Sequence, residues 1–263
     1  MDPNALAPLR AEVPDAVGRP LATWRVVVLL AGYLCATTLV WLVGAIVASA
    51  RLGLNAPKDA VTASLLYLAP ILLPASEAAG GLALVLALRG WAKRLDPTTF
   101  LAIAPSRWGT RRQILVGGAA GAAVGAVFLL LSGRVAYHPT HPPSVLVQAA
   151  STPGATRWAW VVSALLLAPP IEEGLFRGAL LGGLSQVWGP PAGMLISGLA
   201  FWLLHAFEWL EYWPAAVALG LLTVLVTGLR VRTRTLGPCI AAHVAYNCSL
   251  AVAAFGFPSH GAG

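Results

Sequence analysis

Apolar residues run along this chain in long unbroken blocks, not in the alternating or three-to-four-residue spacings of a half-buried strand or helix. The blocks lie at about 26–50, 61–88, 114–132, 158–185, 191–207, 213–229 and 236–257. A bilayer asks for about 20 apolar residues per spanning helix and forbids unpaired backbone facing lipid. The pattern therefore predicts an all-α polytopic transmembrane bundle of about seven spans. A transmembrane barrel would read as short alternating segments, which this sequence lacks. The polar stretches divide the chain into an N-terminal tail (1–25), a first set of membrane helices and loops (26–157), a second membrane core (158–257) and a short C-terminal tail (258–263).

Several blocks carry local signals. The first ends in Ala48-Ser49-Ala50, like a signal-peptidase site, but it is longer than a typical signal core and follows a long tail, so an uncleaved helix is expected. The second contains Pro70, Pro74 and Glu77, which reads either as a kinked helix or as a helix plus an interfacial piece. Glu77 either lines a cavity or sits at the interface after Pro74. Gly117, Gly118, Gly121 and Gly125 put small residues on one side of the third block, which permits close helix contact. The two blocks after Pro190 are short and expected to tilt little or to be shielded by neighbours. Trp188, Trp209 and Trp213 flank blocks and read as interfacial anchors.

Composition agrees with the pattern. Of 263 residues, 58% are hydrophobic and 10% charged, against about 25% charged in a soluble domain. The net charge of +7 would suggest nucleic acid in a soluble protein. Here the basic residues fall between apolar blocks, so the partner is the lipid bilayer and no nucleic acid is expected. With alternating spans, one side holds 12 of the 17 basic residues and the other 4, with Arg177 in the membrane. The positive-inside rule then places the N-terminus in the cytoplasm and the C-terminus outside. Cys35, Cys239 and Cys248 match no metal spacing and read as small buried hydrophobes.

Between Arg157 and Trp188 the only formal charges are Glu172, Glu173 and Arg177. A charge in hydrocarbon is expensive, and an ionisable residue there points to function. Glu173 and Arg177 are four apart with the acid first, so they can pair on one helix face. Glu172 lies about 100° around the helix, free for another partner. Phe201-Trp202-Leu203-Leu204-His205 places a histidine late in the fifth block, and His243 and Asn247 share one face of the seventh. Any one of these polar residues could be an isolated hydrogen-bonded group. Six of them on three apolar helices, each requiring a partner, favour a convergent site.

Glu-Glu-x-x-x-Arg, then Phe-x-x-x-His, then His-x-x-x-Asn, in that order on successive hydrophobic helices, resembles the CAAX protease and bacteriocin-processing (CPBP, or Abi) family over about residues 158–257. These are glutamic-type intramembrane proteases. The resemblance implies that Glu172 and His205 activate a water, that His243 and Asn247 hold the developing oxyanion, and that Glu173 and Arg177 orient the first motif. It implies a membrane-associated protein or peptide substrate, no cofactor and no obligatory metal. The chemistry of the residues agrees, since a carboxylate in an apolar setting is a stronger base than one in water, and an imidazole and an amide on one helix face suit charge stabilisation.

Other readings stay open at this stage. The zinc-protease pattern His-Glu-x-x-His is absent from the sequence, although two histidines and a glutamate can bind metal. Ser197 with His243 suggests a rhomboid-like serine protease, but Leu195 stands where that motif needs glycine, so Ser197 is expected to serve a helix contact. His138 and His141 fall in a Pro-rich loop. A non-catalytic scaffold or immunity protein of the same fold, and a proton-coupled transporter, are the non-protease alternatives; the transporter lacks support from an inverted repeat. Family substrates include prenylated C-termini, bacteriocin leaders and C-terminal sorting tails. An Ala-, Gly-, Pro- and Arg-rich composition points to a GC-rich bacterium, hence the inner membrane; it makes prenylated substrates less expected and leaves a sorting-tail protease, such as a myxosortase-like enzyme, open beside the others. No oligomeric state is implied.

Overall fold

A computed structural model describes residues 23–53, 57–91, 109–135, 145–210 and 212–256; His138 and His141 lie outside them. Each apolar block coincides with one helix: α1 (Thr23–Leu52), α2 (Lys58–Trp91), α3 (Thr110–Ser132), α5 (Ala155–Trp188), α6 (Pro190–Leu204), α8 (Trp213–Thr233) and α9 (Gly237–Gly256). Short helices α4 (Val145–Ser151) and α7 (Ala206–Trp209) lie between them. Among the described residues, α1, α2, α3, α5 and α8 are long and apolar enough to cross a membrane, while α6 is a shorter apolar helix. The outward faces carry Leu39, Ile46, Leu86, Leu115, Val224 and Val252, all exposed. Such a surface suits hydrocarbon, and the protein is an integral membrane protein.

The second block is one continuous helix of 34 residues with Pro70 and Pro74 inside it, not a helix plus an interfacial piece. Helices that neighbours support can tolerate proline in this way. Glu77 consequently sits mid-helix, far from either end of α2. The sixth block extends past its expected end, so Arg230 and Arg232 occupy the last turn of α8, where cations complement the helix dipole.

Three apolar clusters hold the bundle together. One joins α1, α2, α5 and α6 through Tyr33, Leu84, Leu175, Phe176 and Phe201. A second joins α8 to α9 through Leu222, Val226, Ala242 and Tyr246, with Val124 and Phe128 of α3 against it. A third seats α4 on α2 through Ala69, Leu73 and Ala149. The glycine stripe of α3 works as the sequence suggests, at three positions of four. A Cβ at Gly117 or Gly121 would run into the backbone of Pro238 or Ala242, and one at Gly125 into the Ser249 side chain. Gly118 has nothing within 4 Å and faces away.

Two smaller expectations change. Cys239 is buried, with its thiol directed at the Val226 carbonyl at 3.3 Å, but Cys35 and Cys248 are exposed on the outer helix faces. Trp188 and Trp213 are exposed as interfacial anchors should be. Trp209 instead stacks on Trp202, with ring centroids 3.9 Å apart, and donates to the Trp202 carbonyl at 2.8 Å. It locks the turn that follows His205.

Candidate active site

The helix that bears the first motif is irregular for a reason written in its prolines. α5 passes through π-helical turns at Ser163–Leu167 and Gly174–Leu180. In the first, Ala168 N–H reaches back to the Ser163 carbonyl. The next bond of that register would run from residue 169 to the Ala164 carbonyl, but Pro169 has no N–H. Asn247 of α9 supplies the missing donor, with its Nδ2 2.7 Å from the Ala164 oxygen. A buried carbonyl left unpaired is costly, so this bond ties α9 to the opening of α5. It commits one amide hydrogen of Asn247 and leaves the other.

Beyond the prolines, Glu172, Glu173 and Arg177 are all buried, with Glu173 and Arg177 at 0% exposure. Arg177 Nη1 donates to Glu173 Oε1 at 3.2 Å, as the four-residue spacing predicts. The guanidinium also lies 4.1 Å from the centroid of the Phe201 ring, whose face accepts a cation. The same Glu173 Oε1 is 3.0 Å from His243 Nδ1. A carboxylate oxygen can only accept, so His243 carries its proton on Nδ1 and presents Nε2 to the interior. Glu173 thus orients the third motif as well as the first.

His205 is arranged in parallel. The α6 helix breaks at this residue (φ −93°, ψ 16°), a backbone region in which active-site residues are often found. Its Nδ1 is 3.0 Å from the Phe201 carbonyl, which again places the proton on Nδ1 and directs Nε2 inward. Both inward nitrogens address one atom: Glu172 Oε2 is 3.9 Å from His205 Nε2 and 3.8 Å from His243 Nε2. These separations exceed direct hydrogen bonds and match groups that share a bridging molecule. Glu172 Oε2 is buried and has no hydrogen-bond partner among the described residues.

The structure therefore brings Glu172, Glu173, Arg177, His205 and His243 into one buried cluster, with Asn247 one turn along α9 and bonded to the same helix. Phe201 is the ring around which they pack: it stands edge-on to His243 with centroids 5.6 Å apart and tilted to His205 at 4.8 Å. Ser197 is fully buried and donates to the Phe176 carbonyl at 2.7 Å, joining α6 to α5 as a helix contact. Three contributors are less legible from sequence. Glu77 on α2 hydrogen-bonds Tyr33 and acts electrostatically on this cluster. Glu208, three residues after His205, acts on His205 in the same manner. Arg230 donates through Nε to the Arg177 carbonyl at 3.1 Å. Glu77 alone carried a sequence signal, as an acid standing by itself in apolar surroundings.

Residues 154–249 match the family described as type II CAAX prenyl endopeptidase Rce1-like. Over this segment the chain is similar to the CAAX protease family. The matched range takes in every residue of the three motifs and ends within α9. α1, α2 and α3 lie outside it. No curated protein and no solved structure matches the chain. A CAAX protease is a hydrolase of peptide bonds whose substrate is a membrane-associated protein, which is in keeping with the apolar outer surface of this bundle.

Proposed function

We propose that the protein is a glutamic-type intramembrane endopeptidase in which Glu172 and His205 activate the attacking water. The carrying observation is the convergence at Glu172 Oε2. With the Nδ1 atoms turned to the Phe201 carbonyl and to Glu173, the Nε2 atoms of His205 and His243 face one Glu172 oxygen at 3.9 and 3.8 Å. Gaps of this length exceed direct hydrogen bonds and fit a small bridging molecule that can both donate and accept. Water has two O–H donors and a nucleophilic oxygen, so it is the natural occupant.

Each side chain then has a defined task. Glu172 removes a proton from the water as its oxygen adds to the scissile carbonyl, and His205 shares that proton through Nε2. The water proton on Glu172 is relayed to His243 Nε2, 3.8 Å away, which donates it toward the oxyanion and gives it up again when the nitrogen leaves, while its Nδ1–H remains on Glu173. The second amide hydrogen of Asn247 serves the same oxygen. Glu173 and Arg177 keep the cluster in register. Preorganised donors of this kind in a water-poor site contribute several kcal/mol to transition-state stability. The substrate is a membrane-associated protein cleaved within or near the bilayer; a C-terminal sorting tail in a bacterial inner membrane fits the composition best. The basic-residue asymmetry supports a cytoplasmic N-terminus.

The deciding experiment compares membrane-protein C-termini by mass spectrometry in cells carrying the wild type, Glu172→Gln, or no copy. The substitution keeps size and hydrogen bonding but removes the base. Processed C-termini should appear with the wild type alone, while Glu172→Gln accumulates normally in the membrane. Processing by Glu172→Gln at the wild-type level would sink the assignment.

A further inference from the structure

Two helices outside the family-matched segment also reach the cluster. Tyr33 of α1 is buried in the apolar core formed with Leu175, Phe176 and Phe201. Its hydroxyl points to Glu77 Oε2 of α2 at 3.5 Å. At this level α2 is pressed against both neighbours. A Cβ at Gly80 would meet the Tyr33 ring at 2.6 Å, and one at Gly81 would meet the Ile171 side chain at 2.9 Å. Gly81 is one turn after Glu77, and Ile171 immediately precedes Glu172. Glu77 is accordingly held beside the first motif. The charged groups that act on it are Glu172 and His205, with the Tyr33 hydroxyl as its hydrogen-bond donor.

An acid in apolar surroundings whose named charged neighbours are another acid and a histidine calls for a role. The chemistry offers one. Hydrolysis converts R–CO–NH–R′ and water into R–COO⁻ and R′–NH₃⁺. The water oxygen bonds to the carbonyl carbon, the C–N bond breaks, and the nitrogen collects both water protons, the one that Glu172 took and the one left on the new carboxyl group. In the proposed arrangement His243 and Asn247 attend the carbonyl oxygen. The nitrogen then leaves on the His205 side, as a cation in low dielectric, where an unpaired charge is strongly disfavoured.

On the protease reading given above, we propose that Glu77, positioned by the Tyr33 hydroxyl, binds the leaving nitrogen: it accepts the N–H of the scissile amide and pairs with the ammonium once the bond is cut. The first two helices thereby complete the site that the matched segment begins. Glu77 is a substrate-binding residue, and Tyr33 is its positioning residue.

The test uses the full-length protein in detergent. Hexylamine serves as a mimic of the leaving amine and N-hexylacetamide as its uncharged twin. Hexylamine should raise the wild-type unfolding midpoint about 2–4 °C more than N-hexylacetamide does, and Glu77→Gln should abolish that difference. On the processed protein found in the C-terminal survey, Glu77→Gln should lower kcat about 10–100-fold, the loss expected for a charge-assisted hydrogen bond, with KM changed less than about threefold. Glu77→Asp should recover part of the rate, and Tyr33→Phe should lower kcat in the same direction but less. Equal shifts with the two probes in the wild type, a hexylamine preference that survives in Glu77→Gln, or wild-type kcat in Glu77→Gln overturns the proposal. Glu172→Gln separates the two readings: it should lose turnover and keep the hexylamine preference. Turnover by Glu172→Gln would remove Glu172 as the base while the amine measurement still judged Glu77.

Discussion

Gly121 and Gly118 stand three residues apart on α3 and should respond oppositely to the same methyl group. At Gly121 an added Cβ would collide with the carbonyl of Ala242 and lie 2.6 Å from both its carbonyl carbon and Cα. Carbon atoms in contact rest about 3.5–4.0 Å apart, so α3 and α9 must separate by roughly 1 Å. The obstacle is helix backbone and cannot swing aside. Overpacking of this kind costs about 1–3 kcal/mol, against a helix-propensity gain of about 0.5–1 kcal/mol for Gly→Ala. The net loss of about 1–2 kcal/mol corresponds to a midpoint lowered by about 3–6 °C for a chain of this size. Activity should suffer more than stability. Ala242 immediately precedes His243, whose Nδ1 is 3.0 Å from Glu173 Oε1. A 1 Å shift of α9 takes that pair beyond hydrogen-bond distance, and misplacement on this scale costs about 100-fold in rate. Gly118→Ala meets nothing within 4 Å and should be neutral or stabilising by up to about 1 kcal/mol. Thermal unfolding in detergent and cleavage of the identified substrate, measured on both variants, form the assay. If Gly121→Ala unfolds and cleaves like Gly118→Ala, the close packing of α3 on α9 does not position His243 and the reasoning is wrong.

Arg177→Ala and Glu173→Gln each leave a charge unpaired in the core and should destabilise by about 3–5 kcal/mol, visible as low accumulation in the membrane; two stable but inactive variants would make the pair catalytic instead of supporting. Activity should survive strong zinc chelation, as expected from the absence of a zinc-protease motif in the sequence; loss on chelation with recovery on adding zinc would favour a metal mechanism. If each of the seven apolar blocks crosses, reporter fusions at residue 100 and at the C-terminus should report opposite sides of the membrane, and finding both on one side would overturn the orientation drawn from the basic residues.

The fold was legible because its driving force is simple. Long apolar blocks have one stable form in lipid, and all seven emerged as helices at nearly their expected positions. The motif residues were legible because charge in hydrocarbon is rare and the spacings are helical: Glu173 pairs with Arg177 as the four-residue rule states. Partnerships between helices were not. That Glu173 also holds His243, 70 residues later, depends on how α9 is seated against α3 and α8. That Asn247 spends an amide hydrogen on Ala164 follows from two adjacent prolines and a π-helical turn, which periodicity does not encode. Glu77 looked as much interfacial as buried because Pro74 suggested a break; α2 runs straight through it, and the acid ends up at mid-helix.

These cross-links change how the three motifs divide the work. Glu173 Oε1 receives both Arg177 and His243, so one oxygen joins a helix-internal ion pair to a ring on another helix. Arg177 therefore affects the orientation of His243 through Glu173, because removing it would leave Glu173 free to turn. Phe201 couples the remaining pieces, since the ring that covers Arg177 also packs against His205 and His243. In water such a network would be loose. In an apolar interior each polar group has few alternative partners, and the cost of leaving one unpaired holds the others in place. The charges that make this segment expensive to insert are thus also what fixes both imidazoles on a single carboxylate oxygen.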